Sequence, residues 1–357
     1  MIEIKLTDSI LRKHKLWVFG DNLLKENRLY SRLNAAVDTE EDAEVKEVLK
    51  FIFDNIEDVL IGDIKTLNNI KETFDTMLSK LKRQDVKLIN RKDGKGEKEV
   101  YLYWILGIFL DEYKYFYDSA NWNAYMFQIA LDITICPYCA TQFIFVYRSE
   151  SGKGKTRGTL DHFFDKGKYP FLAVSIYNLV PSCKVCNSDL KGKKSVELNN
   201  NYSPYEDGIT KYIRFKREII PNMQQEVPYQ ANQGSEEEND IDFVSVFTGA
   251  SNDFNLIIDY SSAPVEIYPK IEGNINLFHL EKIYNSFHKS YVQSIIKKAS
   301  IYNYAYRKQL TAAYSVFFSN EDELKATLIP AIADDRKNIL GKLTREIIED
   351  ETNGFSF

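Results

Sequence analysis

The sequence predicts an α+β chain in which a short strand-bearing segment is embedded in mostly helical flanks. Three observations lead there. Apolar residues recur at three- and four-residue steps over long stretches on both sides of the centre, which is the period of an amphipathic helix. Near the centre the runs TQFIFVY (141–147) and TLDHFF (159–164) are aromatic and β-branched, with SESGKGKTRG (149–158) between them, the pattern of two strands about a glycine-bearing turn. All four cysteines, Cys136, Cys139, Cys183 and Cys186, lie around those runs as two C-x-x-C pairs.

In chain order, residues 1–35 are mixed and predict no element. From Glu41 onward Val45, Val48, Leu49, Ile52, Phe53, Ile56, Val59 and Leu60 mark one amphipathic helix. Ile64, Leu67, Ile70, Phe74, Met77, Leu78 and Leu81 mark a second. A basic, glycine-containing loop at 91–98 precedes the aromatic-rich segment 101–133, which is expected to be helical, with Trp104 and Trp122 as packing residues. Residues 1–133 therefore read as a helical N-terminal domain and 134–200 as the central module. Residues 201–357 read as a mixed, then helical, C-terminal region. Within it YIRF (212–215), 243–247, 254–260 and 264–268 read as short strands. Residues 232–240 (NQGSEEEND) read as an acidic loop. Helical series run from Asn276 to Tyr314 and around 331–348. His14, His279 and His288 are expected as packed or surface residues, not ligands.

The two C-x-x-C pairs carry the first chemical inference. Tetrahedral zinc takes four thiolates or imidazoles, and a C-x-x-C turn presents two of them from one tight loop. Two pairs with no cysteine left over predict a structural zinc held by Cys136, Cys139, Cys183 and Cys186. An ordinary zinc ribbon separates its pairs by about 15–20 residues. Here Cys139 and Cys183 are 44 positions apart, so the clamp encloses an insert. The strands 141–147 and 159–164 are expected to pair as a hairpin within it. Asn187, directly after Cys186, is expected to cap a short helix over SDLKGKK.

The insert holds Asp161 beside His162, and Asn178 in the insert with Asn187 just after the second cysteine pair completes a polar set. A carboxylate next to a histidine at a strand end suits a hard metal ion and a general base. Together these residues resemble the HNH (ββα-metal) nuclease motif, with Asn187 where many members carry the last histidine, and the likeness spans about sixty residues. The resemblance implies a phosphodiesterase with one catalytic divalent ion. His162 would deprotonate the attacking water. Asp161 and Asn187 would hold Mg²⁺ or Mn²⁺ through oxygen atoms, and Asn178 would hold the histidine ring or its loop. The family's product is a 5′-phosphate and a 3′-hydroxyl. Lys191, Lys193 and Lys194 are expected as a solvated basic face. The wider run CPYC, LDHFFDKGKYP, LAVSIYNLVPSC and SPYEDG is similar to HNH proteins encoded with ABC-type ATPases in bacterial anti-phage systems, the Septu system and retron-linked effectors among them. That likeness implies a separate ATPase subunit as partner and DNA as the favoured substrate. An HNH RNase, including one that cuts transfer RNA, and a catalytically inactive zinc-held adaptor remain as alternatives.

Charge is distributed in keeping with a nucleic-acid site on an acidic body. The net charge is −6, yet ten Lys and Arg stand against four Asp and Glu between Cys136 and Ser195, leaving 36 against 48 elsewhere. The positive field is thus confined to the central module. The charged N-terminus lacks the pattern of a signal peptide, the apolar run 101–110 is far short of a bilayer span, and the cysteines are assigned to zinc. A cytoplasmic location with no membrane partner is expected from these features. No P-loop is visible, so ATP hydrolysis would belong to a partner.

Overall fold

A computed structural model of the chain describes residues 2–19, 28–82, 101–150, 154–219, 243–320, 323–324 and 335–353. The loops expected at 91–98 and 232–240, the Trp104 side chain, part of 149–158 and the start of 331–348 lie outside the described residues. The chain mixes helices with short antiparallel strand pairs, an α+β architecture. Among the described residues no helix is long and apolar enough to cross a membrane. The chain divides into two compact units, Met1–Thr210 with Pro269–Asn274, and Lys211–Tyr268 with Ile275–Phe357.

Helices α1 (Asp8–Phe19) and α2 (Leu29–Thr39) form where the sequence predicted no element. Their apolar contacts are spaced for one face, with Ile10, His14, Trp17 and Val18 of α1 buried, as are Leu29, Leu33 and Val37 of α2. The single helix expected through Leu60 is two, α3 (Ala43–Asp54) and α4 (Ile56–Ile61). Asn55 leaves helical geometry at φ −103°, ψ 16°, and its side chain donates to the Phe51 carbonyl. α5 (Ile64–Lys80) follows the expected series and is capped by Asp63, which accepts from the Thr66 amide. The aromatic segment is also two helices, α6 (Tyr101–Asp118) and α7 (Ala124–Leu131), the second capped by Asn123. Trp122, between them, is a core residue.

The helical segment and the cysteine-bearing segment, expected as separate domains, share one unit because they share one core. Phe74 of α5 packs 4.7 Å from Phe171 between ring centroids, and Phe163, Phe164, Phe171, Phe116 and Phe127 are all fully buried. The extreme N-terminus is tied in as well, the Ile2 amide donating to Pro137 O at 2.9 Å. Residues 269–274 belong to the same unit. Asn274 bonds Asn201 and the Tyr202 carbonyl, each at 2.9 Å. Gly273 approaches so closely that a Cβ there would lie 1.7 Å from Asn200 O, an approach only glycine permits.

Strand pairing differs from the expected hairpin. A two-stranded sheet joins β1 (Tyr147–Arg148) and β2 (Gly154–Thr156), whereas β3 (Thr159–His162) pairs antiparallel with β4 (Leu179–Ser182). The register sets Asp161 opposite Val180 and His162 opposite Leu179. β4 is buried at every position and apolar at all but Ser182, so it fills the core beside β3 in a way that the solvent-facing rings of 143–147 do not.

In the second unit β5 (Arg214–Ile219) and β6 (Phe254–Asp259) form a six-residue antiparallel ladder. Of the strands expected there, 243–247 is instead helix α8 (Phe243–Phe247), and 264–268 is a 3-10 turn leading into α9 (Tyr268–Leu277). Pro264, at φ −58°, cannot donate to a ladder and starts the turn. α10 (Leu280–Phe287), α11 (Lys289–Ile301) and α12 (Tyr304–Ala313) follow, and α13 (Gly341–Asn353) docks on β5. That docking is polar: Arg217 bonds Glu351 at 2.7 Å, Arg214 bonds Asp350 at 2.8 Å, and the Phe215 amide donates to Glu346 at 2.9 Å.

Candidate metal centre and adjoining polar site

The four cysteine sulfurs lie within 4.8 Å of one another, and all four residues are buried. A Zn–S bond of about 2.3 Å in a tetrahedron requires sulfurs about 3.8 Å apart, and Cys139 Sγ stands 4.0 Å from Cys183 Sγ. Each pair is shaped by its own turn. The Cys136 amide donates to Gln142 O and the Ala140 amide to Cys136 O, with Ala140 left-handed at φ 55°. At the second pair the Asn187 amide donates to Cys183 O and the Cys186 amide to Cys183 Sγ. Burial pushes the Cys136 thiol up, whereas hydrogen bonds from the neighbouring thiols, and then Thr141, hold Cys139 down. Gathering thiolates in so dry a place needs a cation, so the donor set fits a metal such as zinc.

Helix formation after Cys186 also departs from expectation. Asn187 is not a cap: it lies inside a π-helix, Val185–Lys191, because the turn at Cys183 runs straight into it. The Gly192 amide closes the π turn on Asn187 O, and Gly192 takes φ +52°, a conformation that favours glycine. The wider turn carries Lys191 inward. Far from joining a solvated face, Lys191 is buried, and Nζ bonds Asp161 Oδ1 at 2.7 Å and Oδ2 at 2.9 Å. It also donates to the His162 carbonyl.

Tyr138, the residue inside CPYC, donates its hydroxyl to Asp161 Oδ2 at 2.7 Å. Asp161 is thus tied to the first cysteine turn through Tyr138 and to the π-helix through Lys191. Neither partner was singled out as an Asp161 contact by sequence reasoning. A tyrosine inside a C-x-x-C turn was the one available signal, and nothing local marked Lys191 apart from Lys193 and Lys194.

His162 points elsewhere. Its Nε2–H donates to Ala173 O at 3.0 Å, and its ring packs edge-on to Tyr113, centroids 4.6 Å apart. With Nε2 protonated, Nδ1 carries the lone pair, and no described residue hydrogen-bonds to it. Burial, and then the Lys166 charge, depress the ring well below the usual histidine range, so it is neutral at neutral pH. Asn178 closes the loop between His162 and β4. Its Oδ1 accepts from the Phe164 amide at 2.7 Å, and Nδ2 donates to Phe164 O at 3.1 Å and Leu172 O at 2.9 Å. This clasp holds both ends of the turn that presents the Ala173 carbonyl to His162. Asn187 is half-buried, and its side chain makes no hydrogen bond to a described residue.

The structure therefore gathers the four cysteines at one point and sets Asp161, His162 and Asn178 around β3. It does not offer Asp161 to a hydrated divalent ion. Both carboxylate oxygens already meet an ammonium, and the pair is about as dry as the core, with side chains 5 % and 4 % exposed.

A second buried histidine braces the same turn. His14 of α1 donates through Nε2 to Val174 O at 2.7 Å and accepts from Trp122 Nε1 at 3.2 Å. Burial lowers it from 6.5 to about 4. Between those values the unfolded chain binds a proton that the folded one refuses, so stability falls as pH falls, by about 3 kcal/mol over that window. Denaturant melts from pH 7 to pH 4 should show this slope, and His14→Gln should reduce it, leaving the part that buried His162 contributes with the same sign.

Comparison of the chain with protein-family models, curated proteins and solved structures finds no match.

Proposed function

We propose that the chain is an HNH-type endonuclease that hydrolyses nucleic-acid phosphodiester bonds, DNA foremost, with a zinc-held core. One observation carries this reading. A strand–strand–helix unit is closed by four cysteines, and its first strand ends in a neutral histidine whose Nε2–H is anchored on a carbonyl. The adjoining polar groups and the basic local charge are in keeping with it.

In this mechanism His162 Nδ1 takes the proton of the attacking water. Asn178 and Ala173 keep the ring's orientation, which a general base needs more than any other property. The hydroxide oxygen bonds to phosphorus, the P–O3′ bond breaks, and the electron pair leaves on the 3′ oxygen, which takes a proton from solvent water, while His162 Nδ1 returns its proton to solvent. The products are a 5′-phosphate and a 3′-hydroxyl. The zinc, when bound, supplies no step and holds Tyr138, and through it Asp161, in register. Mg²⁺ or Mn²⁺ on Asp161 and Asn187 does not fit the donors as arranged, since Lys191 neutralises Asp161, and no step is routed through it. A cytoplasmic setting and an ABC-type ATPase partner belong to this reading through the resemblance alone.

The neutralised Asp161 favours one rival, a zinc-stabilised adaptor without catalysis. Incubation of wild type and His162→Ala with labelled DNA and RNA in Mg²⁺ or Mn²⁺ separates the two. The nuclease reading expects cleavage by wild type and a loss of about 10²–10⁴-fold in the variant, with zinc content and circular dichroism retained. Full cleavage by His162→Ala would remove the base assignment. No cleavage of any substrate by wild type, with or without an added ATPase partner, would favour the adaptor.

A further inference from the structure

We propose that Lys166 and Arg157, set on the rings of Tyr113 and Tyr117 beside His162, form an oxyanion site that takes a backbone phosphate of the nucleic acid. The phosphate identity rests on the nuclease reading; the anion site rests on geometry. Tyr113 of α6 is the ring packed against His162, and Lys166 Nζ lies 4.4 Å from its centroid. One helical turn on, the Tyr117 ring stands 5.5 Å from that of Tyr113. The Arg157 guanidinium lies 4.3 Å over Tyr117 and 5.2 Å from Tyr125. The order from base outward is thus histidine, tyrosine with lysine, tyrosine with arginine.

Neither cation has a counter-ion among the described residues, unlike several other buried cations of this acidic chain. Buried Lys191 has Asp161, Lys71 has Asp75 and Glu197, Arg217 has Glu351 and Arg345 has Asp335. Among the described residues neither Lys166 nor Arg157 has a carboxylate within ion-pair distance. Asp165, next in sequence to Lys166, turns its Oδ1 to the Gly167 amide instead. Arg157 spends Nη1 on Gly158 O at 2.8 Å, and its buried Nε has no hydrogen-bond partner. A buried donor without an acceptor is costly, and burial also depresses Lys166. An anion in the site stabilises the Lys166 ammonium and the Arg157 guanidinium as charged groups. The guanidinium fork and the ammonium suit phosphate oxygens, and charge held there also meets the charge that develops during attack at phosphorus.

The test is anisotropy of a short fluorescein-labelled DNA, single-stranded and duplex, and of a labelled RNA, over a salt series without added divalent metal, with pyrophosphate binding followed by titration calorimetry. Wild type, Lys166→Gln, Arg157→Gln and the double variant are compared, thermal melts checking that each is folded. Each substitution should weaken binding about tenfold and lower the slope of log K against log salt by about one. DNA bound with the same affinity and slope by every folded variant would overturn the site while leaving the nuclease reading standing. Pyrophosphate bound by wild type and lost in Lys166→Gln, with no binding of DNA or RNA, would keep the anion site and remove the nuclease reading. No binding of DNA, RNA or pyrophosphate by wild type would overturn both.

Discussion

Replacing Cys136 with serine, or treating the protein with a strong zinc chelator, is expected to unfold the first unit. Cys136 is fully buried, and the sulfur cluster joins segments 44 positions apart. Structural zinc sites contribute roughly 10–16 kcal/mol of apparent binding free energy at neutral pH, comparable to the whole 5–15 kcal/mol of a typical domain. The loss should spread beyond the cysteines, because β3 and β4 share their core with α5 and α6. Zinc release measured with a colorimetric chelator should coincide with loss of circular dichroism, and readdition of zinc should reverse both. A chelated protein that keeps its melting transition and near-ultraviolet spectrum would show the cluster to be dispensable.

Lys191→Met should have the next largest effect. It strands the Asp161 carboxylate in the core with Tyr138 as its remaining side-chain partner. Breaking one partner of a buried ion pair costs about 3–5 kcal/mol, or roughly 10 °C of melting temperature for a unit of this size. The double variant Lys191→Met, Asp161→Asn should recover much of that, since no bare charge is left. The same single variant decides the metal question. If Asp161 can accept Mg²⁺ or Mn²⁺ once the ammonium is gone, either ion should raise the melting temperature of Lys191→Met and leave Asp161→Asn unmoved. No ion-dependent rise would leave Asp161 with a purely structural role.

Part of the site is legible in the sequence. The cysteines stood out because metal chemistry demands particular atoms at a particular local spacing. Asp161, His162 and Asn178 stood out only through their resemblance to the HNH motif and their position relative to the cysteines, since an asparagine before a turn is common on its own. The helices from Val45 to Leu81 were legible in their period, apart from the break at Asn55. Misread were the strand at 141–147, whose rings Phe143, Phe145 and Tyr147 face solvent, and the strands at 243–247 and 264–268. Aromatic and β-branched composition describes a half-buried surface and does not choose a partner. His14 was expected as a packed or surface residue and is packed, but nothing in its neighbourhood shows that residue 174 will lie against it.

The sequence by itself determined the α+β class, the clamp of Cys136, Cys139, Cys183 and Cys186 and the residue types beside it, since each depends on spacing within a few positions. Only the tertiary structure decided that β3 pairs with β4, that a π turn carries Lys191 onto Asp161, and that Lys166 and Arg157 are left without acids. Those outcomes depend on which distant groups share one dry volume, and in that volume an unmatched charge or donor costs more than any local preference can offset.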